Sequence, residues 1–212
     1  MAQITPALNR RMLLAAALAA PVPAWAAGDG IVTMLGDSLT AGQGLTPAAA
    51  LPAQLRLALA RLGVKAEVRD AGVSGDTTAD GLARIDADVG SDTDVCVVAL
   101  GGNDMLQRID PAVVRANLEK IVVGLQARRI GVVLAGLSAP LELGVAYARD
   151  FEAVFPSLSR AYRIALCRNL LDGVEGVPAL NQSDGIHPNA QGVKIVADHL
   201  APVVARALHG RG

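Results

Sequence analysis

Residues 94–100, DVCVVAL, limit the fold more than any other stretch of this chain. The run is apolar after its leading aspartate, rich in β-branched valine, and ended by Gly101-Gly102. A strand with no polar face must be covered on both sides, as happens in a parallel sheet between layers of helices. Residues 31–35 and 130–135 read the same way, residues 64–70 alternate as a second strand, and residues 164–171 hold a weak fifth. Helical spacing fills the intervals. It runs over residues 48–62 up to Gly63, over 77–86 after a Ser-Gly-Asp turn, over 111–127 with Pro111 in the first turn, over 146–161 despite Pro156, and over 189–208. Strands alternating with helices predict an α/β fold: a three-layer, doubly wound (flavodoxin-like) sheet of about five parallel strands. Sites in such sheets form at the carboxyl ends of the strands.

The chain has 212 residues, 52 % hydrophobic and 18 % charged, a globular composition whose length suits one domain. Aromatic residues make up 2 %, so Ala, Val, Leu and Ile must build the core. That domain is expected over residues 27–212. Ahead of it, Arg10-Arg11 precedes an apolar run at residues 12–20, broken by Pro21 and Pro23. Ala24-Trp25-Ala26 then places small residues at the −3 and −1 positions of a cleavage site. Residues 1–26 read as a secretory signal peptide, removed after Ala26. The paired arginines fit a twin-arginine signal, with the general export route as the alternative. The run is far short of the roughly 20 residues a spanning helix needs, so no stable membrane anchor is expected. Export makes a periplasmic or secreted location the expectation and permits a disulfide, but Cys96 and Cys167 read as separate buried thiols.

Removing Arg10 and Arg11 from 19 basic residues leaves 17 against 20 acidic ones. No basic patch interleaved with aromatics is present, which argues against nucleic-acid binding. No heptad or exposed apolar stripe marks an oligomer interface.

The turns after the strands carry the chemistry. Gly36-Asp37-Ser38 follows the first, residues 72–77 (GVSGDT) the second, Gly101-Gly102-Asn103-Asp104 the third, and residues 184–189 (DGIHPN) precede the last helix. A serine hydroxyl is a weak nucleophile until a base takes its proton. His187 can be that base and Asp184, three residues earlier, can orient it. Asn103 offers an amide N–H, Gly75 a backbone N–H open to close approach, and Ser38 its own N–H, as donors to a developing oxyanion. His199 and His209 fall in the last helix and the tail. Asp37, Asp76 and Asp104 read as turn and supporting groups. Leu45, Met105, Leu106, Leu141, Leu143 and Ile186 are assigned to substrate binding, with core packing the alternative for Met105, Leu106, Leu141 and Leu143.

With these four motifs in order, the chain resembles the SGNH (GDSL) hydrolase family over essentially all of residues 27–212. Residues 73–84 and 184–189 look most like its bacterial periplasmic arylesterase, acyl-CoA thioesterase and lysophospholipase branch. The resemblance implies a serine esterase needing no metal or other cofactor. Its nucleophile is Ser38, its base His187, its carboxylate partner Asp184, and its oxyanion hole Ser38, Gly75 and Asn103. Its partner is a small-molecule ester or thioester. A carbohydrate O-acetyl esterase with the same triad is the alternative, and the scarcity of aromatic platforms for a sugar weighs against it. A metal-dependent phosphoesterase built on the strand-end aspartates explains the asparagine and glycine turns less well, and the intact serine, histidine, aspartate and asparagine weigh against a non-catalytic binding module.

Overall fold

The computed structural model describes Met1 and residues 30–210, so the remainder of the expected leader lies outside the described residues. Five parallel strands form one sheet: β1 (Gly30–Gly36), β2 (Ala66–Gly72), β3 (Val95–Ala99), β4 (Gly131–Ala135) and β5 (Ala165–Cys167), ordered β2-β1-β3-β4-β5. The continuous apolar runs occupy the centre. β3 is buried at every residue, whereas edge strand β2 is buried only at Ala66 and half-buried or exposed elsewhere. In register, Val32 and Val95, Met34 and Val97, and Val97 and Val133 lie side by side.

Among the described residues, seven α-helices surround the sheet. They are α1 (Ser38–Ala41), α2 (Leu51–Arg61), α3 (Thr78–Asp88), α4 (Gly102–Leu106), α5 (Pro111–Ala127), α6 (Val145–Tyr162) and α7 (Ala190–His209). Helices α2 and α7 pack together over one face, and α3, α5 and α6 over the other. The chain therefore leaves β1 on one side of the sheet and enters β3 from the other. At such a switch the connections diverge and a crevice opens beyond the strand ends. The residues after β1 and β3 flank it.

Several boundaries differ from the sequence expectation for local reasons. The first long helix begins at Leu51 because Pro52 has no N–H to give to Ala48; the Gln54 side chain donates to the Ala48 carbonyl instead, at 2.7 Å. Strand β2 starts two residues late, since the Val64 N–H closes the end of α2 on the Leu59 carbonyl. Strand β5 is three residues long. Beyond it the Leu170 N–H bonds to the Gly136 carbonyl, and Asn169 Oδ1 accepts the Leu171 N–H, which turns the chain away. Helices α1 and α4, of four and five residues, are too short to show a period in sequence.

The scarce aromatics are not spread through the core. Both tyrosines and both phenylalanines lie on α6, where Phe151 stacks on Tyr147 and meets Phe155 edge-on at 5.5 Å. Everywhere else small and branched aliphatic side chains fill the interior.

Candidate active site

Ser38 is the first residue of α1, directly beyond β1. Two glycines let that helix rest on the strand ends. A Cβ on Gly36 would lie 2.0 Å from Thr40 Oγ1, and one on Gly72 would lie 2.3 Å from the Ala41 backbone nitrogen. Asp37 caps the turn, its Oδ1 accepting the Leu39 N–H at 3.0 Å. It is 2 % exposed, and burial pushes its carboxyl up to about 6 against the opposing pull of the Leu39 N–H and of His187.

His187 and Asp184 share one short loop. The His187 carbonyl accepts the Gln182 N–H, Asn181 bridges to Pro188, and Gly185 takes a left-handed turn at φ +70°. Gln182 Nε2 also donates to the Gln43 carbonyl at 2.8 Å, tying this loop to the segment after α1. Asp184 Oδ1 accepts the Ile186 and His187 N–H groups, and Oδ2 lies 2.6 Å from His187 Nδ1. The His187 N–H, the imidazole and the Ile186 N–H together hold the Asp184 carboxyl down at about 2. A carboxylate only accepts, so Nδ1 carries the proton and Nε2 is the acceptor. Nε2 stands 2.8 Å from Ser38 Oγ, where the hydroxyl donates to it.

Ser38, Gly75 and Asn103 line one cavity. Gly75 holds φ +92°, and its N–H, like that of Ser38, has no partner among the described residues. Asn103, on α4, donates one Nδ2–H to the Asp76 carbonyl at 2.8 Å, which fixes the amide and leaves its second N–H for the crevice. Helix α4 is tied to the start of α3 by Asp104, which is fully buried and accepts the Thr78 N–H and hydroxyl at 2.8 and 2.6 Å.

A cavity of about 310 Å³ joins Ser38, Gly75, Asn103 and His187. Of the residues assigned to substrate, Met105, Leu106 and Ile186 line it, whereas Leu45, Leu141 and Leu143 do not. Leu45 packs against the core, and the single turn Leu141–Leu143 leaves Leu141 67 % exposed. Sequence reasoning missed Leu39, Gln43, Leu137, Ser138, Leu171 and Glu175, which also line the cavity. Leu137, Ser138 and Leu171 follow the carboxyl ends of β4 and β5, so the strand-end rule applied to those strands points to them. Asp37, Asp76, Asp104 and Asp184 are each engaged with different partners, and among the described residues no three metal-ligating side chains converge. Cys96 and Cys167 are free and buried, on strands separated by β4.

A doubly wound sheet with a serine, histidine and carboxylate aligned at its switch point defines an ester hydrolase of the serine class. Residues 34–195 match the GDSL-like Lipase/Acylhydrolase family, and the chain belongs to it. Esterase TesA of Pseudomonas aeruginosa is 35 % identical, over 84 % of this chain and 90 % of that protein. Thioesterase 1/protease 1/lysophospholipase L1 of Escherichia coli K12 is 33 % identical, over 83 % and 84 %. The crystal structure of AlinE4, an SGNH-hydrolase family esterase, superposes with a TM-score of 0.71 at 40 % identity, covering 84 % of this chain and 96 % of that one. No described helix is long and apolar enough to cross a membrane.

Proposed function

We propose that Ser38, His187 and Asp184 form the catalytic triad of an exported esterase, with the N–H groups of Ser38, Gly75 and Asn103 as its oxyanion hole. The observation that carries this reading is the unbroken line from Ser38 Oγ through His187 to Asp184, at 2.8 and 2.6 Å. As Ser38 Oγ attacks the acyl carbon, its proton passes to His187 Nε2, and Asp184 supports the imidazolium. The carbonyl oxygen becomes an oxyanion held by the three N–H groups. Collapse expels the alcohol or thiol, which takes the proton from His187. Water then repeats the sequence on the acyl-enzyme, frees the acid and restores Ser38.

The cavity supports short acyl or aryl groups. At roughly 30 Å³ per water- or methylene-sized group, 310 Å³ holds about ten heavy atoms, ester included. Aryl esters, short acyl thioesters and lysophospholipid-type esters whose chain extends into solvent fit that space. Among the described residues no Phe, Tyr or Trp lines it, which disfavours a stacked sugar. Export rests on the leader read in residues 1–26, and the activity then resides in the periplasm or outside the cell.

The test is a series of p-nitrophenyl esters of increasing chain length with Ser38→Ala as control. Turnover is expected to peak near acyl chains of about four to eight carbons and to vanish in Ser38→Ala, along with labelling by an organophosphonate. Near wild-type turnover in Ser38→Ala refutes the triad. An optimum at long chains refutes the bounded acyl site.

A further inference from the structure

An oxyanion donor works only if it is held against the nucleophile to within a fraction of an ångström. The immediate surroundings of Gly75 do not supply that hold, since it lies in an exposed loop with nothing within 4 Å of where a Cβ would be. The loop is held from below. Arg84, on α3, donates Nε to Asp76 Oδ2 at 2.6 Å, Nη1 to the Ala71 carbonyl at 2.7 Å and to Asp88 Oδ2 at 2.8 Å, and Nη2 to the Gly36 carbonyl at 2.7 Å. Its side chain is 16 % exposed and that of Asp76 is 13 % exposed. Gly36 is the last residue of β1, immediately before Asp37-Ser38. Ala71 precedes the last residue of β2, from which the Gly75 loop departs. Asp76 follows Gly75, and its carbonyl is the anchor of the Asn103 amide. One guanidinium thus touches the segment bearing the nucleophile, the segment bearing one donor, and the residue that pins another.

We propose that Arg84 is a positioning residue for the oxyanion hole, locking Gly75 and Asn103 to the strand end that carries Ser38. The inference rests on the hole assigned above and adds what aligns it. Only arginine suits the post. Its planar fork reaches four acceptors on three sides, whereas a lysine ammonium is a compact point charge with three donors. Burial works against the Arg84 charge, but Asp88 and Asp76 more than offset it and hold its pKa above the usual arginine range. Because the donors act on the oxyanion rather than on the ground-state ester, the effect falls on kcat.

The test compares wild type, Arg84→Lys, Asn103→Ala and the double variant on one p-nitrophenyl ester, with circular dichroism and Tm measured for each. Arg84→Lys is expected to fold and lose roughly tenfold to a hundredfold in kcat, with KM changed by less than about threefold. In the Asn103→Ala background the same substitution costs at least about threefold less, because one of the donors it misplaces is already gone. Losses that multiply in the double variant, a loss confined to KM, or an unchanged kcat in Arg84→Lys overturns the proposal. An unchanged kcat in Asn103→Ala alone overturns the oxyanion-hole reading beneath it. Should Arg84→Lys not fold, Asp76→Asn loosens the same link at its other end and must show the same kcat loss; wild-type kcat there overturns the proposal.

Discussion

Asp37 exacts a stability cost that rises with pH. Its carboxyl goes from an ordinary 3.8 to about 6 on folding, mainly because burial penalises the charged form. Between those values the native state keeps a proton that the unfolded chain has released, so stability falls as pH rises through the window and is flat on either side. At about 1.4 kcal/mol per pKa unit, the ionised carboxylate destabilises the native state by about 3 kcal/mol at neutral pH. Asparagine cannot ionise, and its Oδ1 can still accept the Leu39 N–H. The assay is urea unfolding of wild type and Asp37→Asn at intervals from pH 4 to pH 8. Titrations that do not sense the Asp37 charge are common to the two proteins and cancel in the difference. The advantage of Asp37→Asn should grow by about 2.5 kcal/mol across that range, a midpoint shift of about 1–2 M urea, most of it between pH 4 and pH 6. Because the imidazolium of His187 opposes the upward shift, adding His187→Asn to both proteins should carry the window to higher pH. A difference that stays constant from pH 4 to pH 8 refutes the reasoning.

Three further outcomes follow from packing around the same turn and in the core. Thr40 is fully buried and its hydroxyl has no hydrogen-bond partner among the described residues, so Thr40→Val should be neutral or stabilise by about 1 kcal/mol in thermal or urea unfolding, and a loss of that size would count against it. Gly72→Ala drives a Cβ into the Ala41 backbone and should cost about 1–3 kcal/mol while lowering kcat, since the helix it displaces carries Ser38; wild-type turnover would show that the turn tolerates the shift. The Cys96 and Cys167 thiols, pushed up by burial to about 12 and about 11, should resist an aromatic disulfide reagent in the native protein and both react in urea. Labelling without denaturant would contradict their burial.

What the sequence could and could not carry divides along physical lines. The apolar runs around Val97 and Val133 announced buried strands, because a residue pattern with no polar face admits few alternatives. Thr77 and Asp80 form a capping box that fixes the start of α3 within a residue of expectation. Ser38, Asp184 and His187 are legible because their motifs are local, and the fold brings the three together. Helices α1 and α4 show no period in four and five residues: α1 rests on the Asp37 cap and the left-handed Gly42, α4 on the left-handed Gly101. Leu45, Leu141 and Leu143 mark the limit of composition: an apolar residue near a motif does not reveal which way its loop faces. Arg84 was illegible for a different reason. Its partner Gly36 lies 48 residues away and offers a backbone carbonyl, which leaves no trace in side-chain pattern.

The order in which the chain is laid down has a consequence of its own. Ser38 arrives with the first strand, and all five strands are complete by Cys167, yet Asp184 and His187 come only afterwards, in a loop closed by the cap of α7. That helix also packs on α2 to finish one face of the core. A chain halted after Cys167 therefore holds the proposed nucleophile, all three proposed donors and every described strand of the sheet while lacking the proposed base. Acyl transfer through that triad waits for residues 184–187, and a chain cut short of them stays chemically silent.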